Sequence, residues 1–248
     1  MIELRNICKS FNGHKVLDDL NLKIETGESM VIIGRSGCGK SVTLKHIIGI
    51  MEPDAGSVLV DNINVTKLNG QDLKKFRMNF GMLFQGGALF DSLSVLENVG
   101  FQLFEYSDLS LGEIRKRVAE CLAMVGLSGI ENAKPAELSG GMKKRVALAR
   151  AICMSPEIIL FDEPTTGIDP IMGDVINDLI RRLHDTLKTT SITVTHDMKS
   201  AYKIADKIAM LYNKKIIAVG TPDEIKNSDN PVIRQFVTGS AVGPITGY

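Results

Sequence analysis

Apolar positions along the chain switch repeatedly between a period of two residues and a period of 3.6, and each switch predicts an element. Ile2 and Leu4 alternate with polar neighbours, and Leu20, Leu22 and Ile24 do so more clearly, which predicts half-buried strands. Thr26-Gly27-Glu28 turns the chain into the apolar strand Met30-Val31-Ile32-Ile33. After a glycine-rich loop, Leu44, Ile47 and Ile48 share one helical face; Glu52 to Gly56 then breaks the pattern, and Val58-Leu59-Val60 restores a strand. Gly81-Met82-Leu83-Phe84 is a short apolar run ending at Gln85. From Val95 the character is helical. Ser110-Leu111-Gly112-Glu113 has capping-box spacing, Ile114, Val118, Cys121, Leu122 and Val125 follow at helical period, and Gly126 stops the helix.

A further helix starts after Ser139 and carries Val146, Ala149 and Ile152 inward; its basic residues Lys143, Lys144, Arg145 and Arg150 could bind acidic partners, and a solvated face is the preferred reading. Ile158-Ile159-Leu160-Phe161 is apolar on both faces, as a strand in a helix-covered sheet should be. A helix with Val175, Ile176, Leu179, Ile180 and Leu183 follows, then the strand Ile192-Thr193-Val194 and a short helix around Ala201 to Ala205. Ile208 and Met210 begin a hairpin that turns at Asn213-Lys214 and returns through Ile216 to Val219. Thr221-Pro222-Asp223-Glu224 sets a cap, an N1 proline and an N3 glutamate in order. Gly239 to Tyr248 reads as an extended tail, and no internal repeat is visible.

Composition changes this picture only by exclusion. At 248 residues the chain can bury a substantial core in one or two closely joined units. Lys plus Arg and Asp plus Glu both total 29, so no bulk electrostatic case for nucleic acid exists. No apolar run approaches the ~18 residues that span a bilayer. Met1-Ile2-Glu3-Leu4-Arg5 reads as a strand and not as a signal peptide. The four cysteines, Cys8, Cys38, Cys121 and Cys153, are scattered, which suggests reduced thiols and neither zinc nor a disulfide framework. A soluble cytosolic protein is expected.

Three stretches carry chemistry. Gly34-Arg35-Ser36-Gly37-Cys38-Gly39-Lys40-Ser41 fits G-x-x-x-x-G-K-[ST] between a predicted strand and a predicted helix. Its glycines let backbone N–H groups close around phosphate oxygens, and the helix N-terminus adds unpaired N–H groups. Lys40 is then a point charge for the β- and γ-phosphates, and Ser41 a hydroxyl ligand for Mg²⁺. The second stretch, Ile158 to Glu163, is an apolar strand ending in carboxylates, where ligands sit in open α/β sheets. Asp162 suits a Mg²⁺ partner and Glu163 a group that faces the attacking water. The third is Leu138-Ser139-Gly140-Gly141-Met142 before a helix, which reads equally well as a second anion device and as an ordinary N-cap.

Together these residues resemble the ATP-binding cassette (ABC) ATPases over essentially the whole chain. The P-loop, Gln85 after its strand, the Leu138–Met142 signature, the Walker B stretch Ile158–Glu163, the Thr166-Gly167-Ile168-Asp169 loop and the switch histidine His196 occur in the family's order and spacing. The resemblance implies an α/β fold: a P-loop NTPase core of the ABC ATPase type, with an antiparallel β subdomain and an inserted α-helical subdomain. It divides the chain into a first core part (1–85), a helical subdomain with the signature (86–156), a second core part (157–230) and a C-terminal tail (231–248). It implies ATP and Mg²⁺ as ligands. Nucleotide contacts fall on Phe11, Gly34, Arg35, Ser36, Gly37, Cys38, Gly39, Lys40, Ser41, Val42, Ser139 and Gly141, and metal contacts on Ser41, Gln85 and Asp162. Lys40, Gln85, Glu163 and His196 are the implied catalytic set. Phe11 takes the place of the aromatic that stacks on adenine, and as a residue alone it reads also as a core aromatic on a strand edge. Asp169 is implied to couple two sites, and reads almost as well as a helix cap before Pro170.

In this family two cassettes bind head to tail, so Ser139 and Gly141 would serve the γ-phosphate held by a second copy. One departure stands out: Met142 occupies a signature position where the common pattern has glutamine, and it lacks that side chain's hydrogen bonds. With Phe84 to Leu93 and the Val232 to Val237 segment, this variant resembles the ATPases of MCE-type lipid transporters. The implied function is ATP hydrolysis driving a membrane permease that moves phospholipid between inner and outer membranes, at the cytoplasmic face of the inner membrane. The implied partners are that permease, an MCE-domain protein and a small STAS-domain subunit, without nucleic acid. The alternatives are an importer ATPase for amino acids or metals, and a soluble non-transport cassette protein.

Overall fold

The computed structural model describes residues 1–246. In chain order the elements are strands β1 (Ile2–Phe11), β2 (His14–Ile24) and β3 (Ser29–Ile33), helix α1 (Lys40–Ile47), strands β4 (Ala55–Val60) and β5 (Ile63–Asn64), helix α2 (Gly70–Arg77) and strand β6 (Phe80–Leu83). Helices α3 (Val95–Val99), α4 (Phe101–Tyr106), α5 (Leu111–Met124) and α6 (Gly140–Ile152) follow. The remainder runs β7 (Ile158–Asp162), α7 (Pro170–Leu187), β8 (Thr190–Thr195), α8 (Met198–Ile204), β9 (Lys207–Tyr212), β10 (Lys215–Gly220), α9 (Pro222–Lys226) and α10 (Pro231–Thr238). Two compact units result: Met1–Leu73 with the chain from Ile192 onward, and Lys74–Ser191.

In the first unit, β2, β1, β4 and β5 are neighbours in an antiparallel sheet. The period-two pattern sets its register. Ile2 opposes Ile24 and Val60, Leu4 opposes Leu22 and Val58, and all of these are buried. A mixed sheet carries β10, β9, β3 and β8 in that order, with β9 antiparallel to β10 and parallel to β3. The predicted hairpin turns at Asn213 and Lys214, whose φ values of 46° and 71° suit a two-residue loop that follows the strand twist. Ser29 fixes the start of β3, its Oγ donating to the Ile204 carbonyl (2.7 Å) and its N–H to Asp206 (2.9 Å).

The C-terminal segment differs from the extended tail expected. Gln235, buried in α10, donates Nε2 to the Ser240 carbonyl (3.1 Å) and to Thr246 Oγ1 (3.0 Å), and its Oε1 accepts from the Ile245 N–H (2.7 Å). One amide thus folds residues 240–246 into turns; Gly247 and Tyr248 lie outside the described residues.

In the second unit β6 and β7 pair in parallel, Phe80 beside Ile158 and Leu83 beside Phe161. Helix α6 lies so close to β6 that a Cβ on Gly81 would sit 2.1 Å from the Ala151 carbonyl oxygen, which makes glycine obligatory there. Helices α3 and α5 pack on α6. Capping boxes start α3 (Ser94 with Glu97) and α5 (Ser110 with Glu113), the second as its spacing predicts. Asn98, fully buried on α3, accepts from the Phe90 N–H (2.8 Å) and donates to the carbonyls of Phe90 (3.0 Å), Leu93 (3.1 Å) and Ser94 (3.0 Å). It pins the segment before α3. Among the described residues no helix is long and apolar enough to cross a membrane.

Candidate active site

The first unit holds the glycine-rich loop between β3 and α1. A Cβ on Gly34 would come within 2.5 Å of the Leu211 carbonyl oxygen and 2.8 Å of Cys38 Sγ, so the loop closes tightly only on glycine. Gly39, at φ 111°, is the N-cap of α1, and a Cβ there would strike Leu17 at 2.8 Å. With glycine at the cap, no side-chain cap hydrogen bond is made at this end of α1, which suits an anion there. Lys40 is buried, and its Nζ donates to the carbonyls of Gly34 (2.9 Å) and Arg35 (3.1 Å), bracing the loop from inside. Ser41 and Val42 are half-buried in the first helical turn, Cys38 is half-buried, and Arg35, Ser36 and Gly37 are exposed.

Val16 and Leu17 of β2 lie against Gly39, so the β1–β2 hairpin flanks this loop. Phe11 ends β1, 40% exposed, with Lys9 Nζ 5.7 Å from its ring centroid. This is an accessible aromatic face and not a core side chain. His196 follows β8 at an exposed position, and the next residue, Asp197, caps α8 through the N–H groups of Lys199 and Ser200, both at 3.1 Å.

The second unit holds the carboxylates. Asp162 ends β7 and Glu163 follows, both buried. Glu163 has φ 47°, a left-handed conformation costing a non-glycine residue about 1–3 kcal/mol. Thr166 helps hold it there, donating its N–H to the Glu163 carbonyl (3.2 Å) and its hydroxyl to Oε2 (3.3 Å). Gln85 lies two residues beyond Leu83 and Glu163 two beyond Phe161, the last pair of the β6–β7 register, so both leave the same end of one strand pair.

Ser139 is exposed at the N-cap of α6, its Oγ accepting from the Met142 N–H (3.3 Å). Gly141 is buried, and a Cβ there would meet Met172 Cε at 2.6 Å. Asp169 caps α7, accepting from Ile171 (3.1 Å) and Met172 (3.0 Å), which is the capping role its position before Pro170 allows.

The basic face of α6 corrects the sequence reading. Lys144 is buried, its Nζ donating to the Gln85 carbonyl, and Arg150 donates to the carbonyls of Gly87 (2.6 Å) and Ala88 (2.7 Å). Burial lowers the Lys144 ammonium pKa, while the negative charges of Asp162 and Glu163 act in the opposite sense. These cations point inward because the chain leaving β6 has carbonyls outside any ladder, and α6 supplies their donors.

A protein-family model described as "ABC transporter" matches residues 17–166. The chain belongs to the ABC transporter family. The cassette is 41% identical over 245 residues to the intermembrane phospholipid transport system ATP-binding protein MlaF of Haemophilus influenzae, covering 99% of this chain and 93% of that protein. A Mycobacterium tuberculosis protein named for ribonucleotide transport is 41% identical over 244 residues, 98% of this chain and 68% of its own length. A dimeric post-hydrolysis state of the ATP-binding cassette MJ0796, bound to ADP and Pi, superposes with a TM-score of 0.82 at 36% identity, covering 90% of this chain and 99% of that one. The fold is the P-loop NTPase fold of ABC ATPases, and this cassette is an ATP-hydrolysing enzyme subunit.

Its donors suit the ligands of that reaction. At Gly34 and Gly39 a Cβ would strike Leu211 and Leu17, so glycine is what lets the loop take its close path between β3 and α1. Among the described residues no cluster of three or more His, Cys, Asp or Glu side chains could hold a metal by itself. The first unit offers the Ser41 hydroxyl, and the second the Gln85 carboxamide and the Asp162 carboxylate, which are hard-oxygen donors of the kind Mg²⁺ takes.

Proposed function

We propose that two copies of this cassette drive a membrane permease that moves phospholipid, working from the cytoplasmic face of the membrane. The observation that carries this reading is identity along nearly the full length of a protein named for intermembrane phospholipid transport. The dimeric MJ0796 cassette supports the pairing. The exposed apolar side chains of Phe90, Phe104, Tyr106, Leu109 and Leu111 are available on the 86–156 arm for a docking permease. An MCE-domain protein and a STAS-domain subunit complete the proposed assembly.

In this mechanism Phe11 stacks on adenine, while the amides of Gly34 to Val42 and the Lys40 ammonium hold the phosphates. Lys40 exchanges its Gly34 and Arg35 carbonyls for phosphate oxygens, so binding costs the loop two internal hydrogen bonds and gains contacts to an ionised acceptor. Ser41, Gln85 and Asp162 would hold Mg²⁺, which when bound would supply positive charge to the phosphoryl oxygens. Glu163 orients the attacking water and accepts its proton, its carboxylate aimed by the left-handed backbone and by Thr166. His196 stabilises the transferring phosphoryl, and Ser139 and Gly141 close on the nucleotide of the other copy.

Ribonucleotide cargo is a second reading, favoured by the name of the mycobacterial relative. Purification from detergent-solubilised membranes, then reconstitution into vesicles, decides between them. Retention of an integral-membrane permease and ATP-dependent transfer of labelled phospholipid are expected. Recovery of the chain alone, or ATP-driven movement of ribonucleotide without phospholipid, would overturn the proposal.

A further inference from the structure

Lys144 is the buried cation of a helix whose polar face should be wet. It is 6% exposed, its Nζ donates to the Gln85 carbonyl, and it feels the negative charges of Asp162 and Glu163. An ammonium taken out of water is costly unless its protons and charge are both answered. Here the Gln85 carbonyl answers one proton, and the negative charges of Asp162 and Glu163 offset part of the cost of burial, which still outweighs them. A methionine-sized apolar side chain would fill the same space without that cost, so packing alone does not account for a lysine.

The neighbouring contacts extend the pattern. Arg150 takes the carbonyls of Gly87 and Ala88, and a Cβ on Gly87 would touch Ala147 at 3.6 Å. The chain from Gln85 to Ala88 is therefore fastened along α6, the helix whose N-terminus carries Ser139 and Gly141.

We propose that Lys144 is a positioning residue for hydrolysis: it ties the Gln85 backbone to α6 and sets the Gln85 side chain relative to Asp162 and Glu163. Movement at the Ser139 end of α6 is then transmitted to Gln85 through one hydrogen bond and one buried charge. The inference rests on reading Gln85 as a contact of the metal and the reacting phosphate.

The test uses purified full-length chain carrying Lys144→Met, Lys144→Arg, Gln85→Ala and the Lys144→Met/Gln85→Ala pair. Lys144→Met should lower kcat at least tenfold, and Lys144→Arg should recover most of kcat. In a Glu163→Gln background, Lys144→Met should weaken ATP binding measured with Mg²⁺ by at least fivefold and leave binding measured in EDTA unchanged. The double variant should be little worse than Gln85→Ala, because both disturb one element. An unchanged kcat in Lys144→Met, equal losses of binding with and without Mg²⁺, or failure of arginine to rescue would overturn the proposal. If Gln85→Ala itself turns over normally, the reading of Gln85 fails and the proposal falls with it; if only Lys144→Met is silent, the reading of Gln85 stands and the proposal alone falls.

Discussion

Replacing Asn98 with alanine removes a side chain that the second unit uses to hold the segment Phe90–Ser94. The carboxamide makes four contacts of 2.8–3.1 Å, with two Nδ2 protons shared among three carbonyls and Oδ1 accepting from Phe90. That is the equivalent of about three hydrogen bonds at roughly 1 kcal/mol net each. Two of the acceptors keep another donor: the Phe90 carbonyl retains the Leu93 N–H (3.1 Å), and the Ser94 carbonyl retains the Asn98 N–H (2.8 Å). The Phe90 N–H and the Leu93 carbonyl lose these contacts, and water reaches them in part, so the expected loss is about 2–3 kcal/mol. At roughly 2–4 °C per kcal/mol for a chain of this size, Tm should fall by about 4–12 °C. Amide exchange at Phe90 should accelerate more than exchange in β3, because the damage is local. Asn98→Asp should be at least as damaging, since it keeps the acceptor for Phe90 but presents a carboxylate to three carbonyls. A Tm within 1 °C of wild type, with unchanged exchange at Phe90, would refute this account of the segment.

Gly34→Ala should reduce ATP affinity at least tenfold, because its Cβ meets a backbone oxygen at 2.5 Å; wild-type affinity by titration calorimetry would contradict the tight-loop geometry. Lys40→Ala should abolish hydrolysis, and measurable turnover in a phosphate-release assay would show that the buried ammonium is only a brace for the loop. Glu163→Gln should bind ATP and accumulate as a dimer on a sizing column, so a monomer at saturating ATP would count against two copies sharing each nucleotide. Chelating Mg²⁺ should stop hydrolysis while leaving nucleotide bound through the P-loop amides, and loss of both together in an equilibrium binding assay would contradict that division of labour.

What sequence made legible is what depends on neighbours in the chain. The run Met30–Ile33, the glycines that follow and the helical face of Leu44 and Ile47 specify strand, loop and helix locally, and the same holds for the strand ending in Asp162. The cap at Ser110 and the turn at Asn213-Lys214 were readable for the same reason. Lys144 and Arg150 were misread because periodicity reports which way a helical position points, not whether carbonyls from a distant loop wait there. Asn98 went unnoticed because an asparagine inside an apolar helical stretch has no local signature. Met142 could be seen to lack glutamine's hydrogen bonds, but only the fold shows Ser139 spending its hydroxyl on the Met142 N–H.

Gln235 separates two properties of the C-terminal segment that usually vary together. Two of its three partners, the Ser240 carbonyl and the Ile245 N–H, are main-chain groups present in nearly any residue. Gly243 is constrained as well, since a Cβ there would lie 2.6 Å from the Gln235 carboxamide. The route of the segment is thus written in α10, whereas the side chains it displays, such as Val242 at 69% exposure, are free to change. A surface of this kind can be re-lettered for a new neighbour without being refolded.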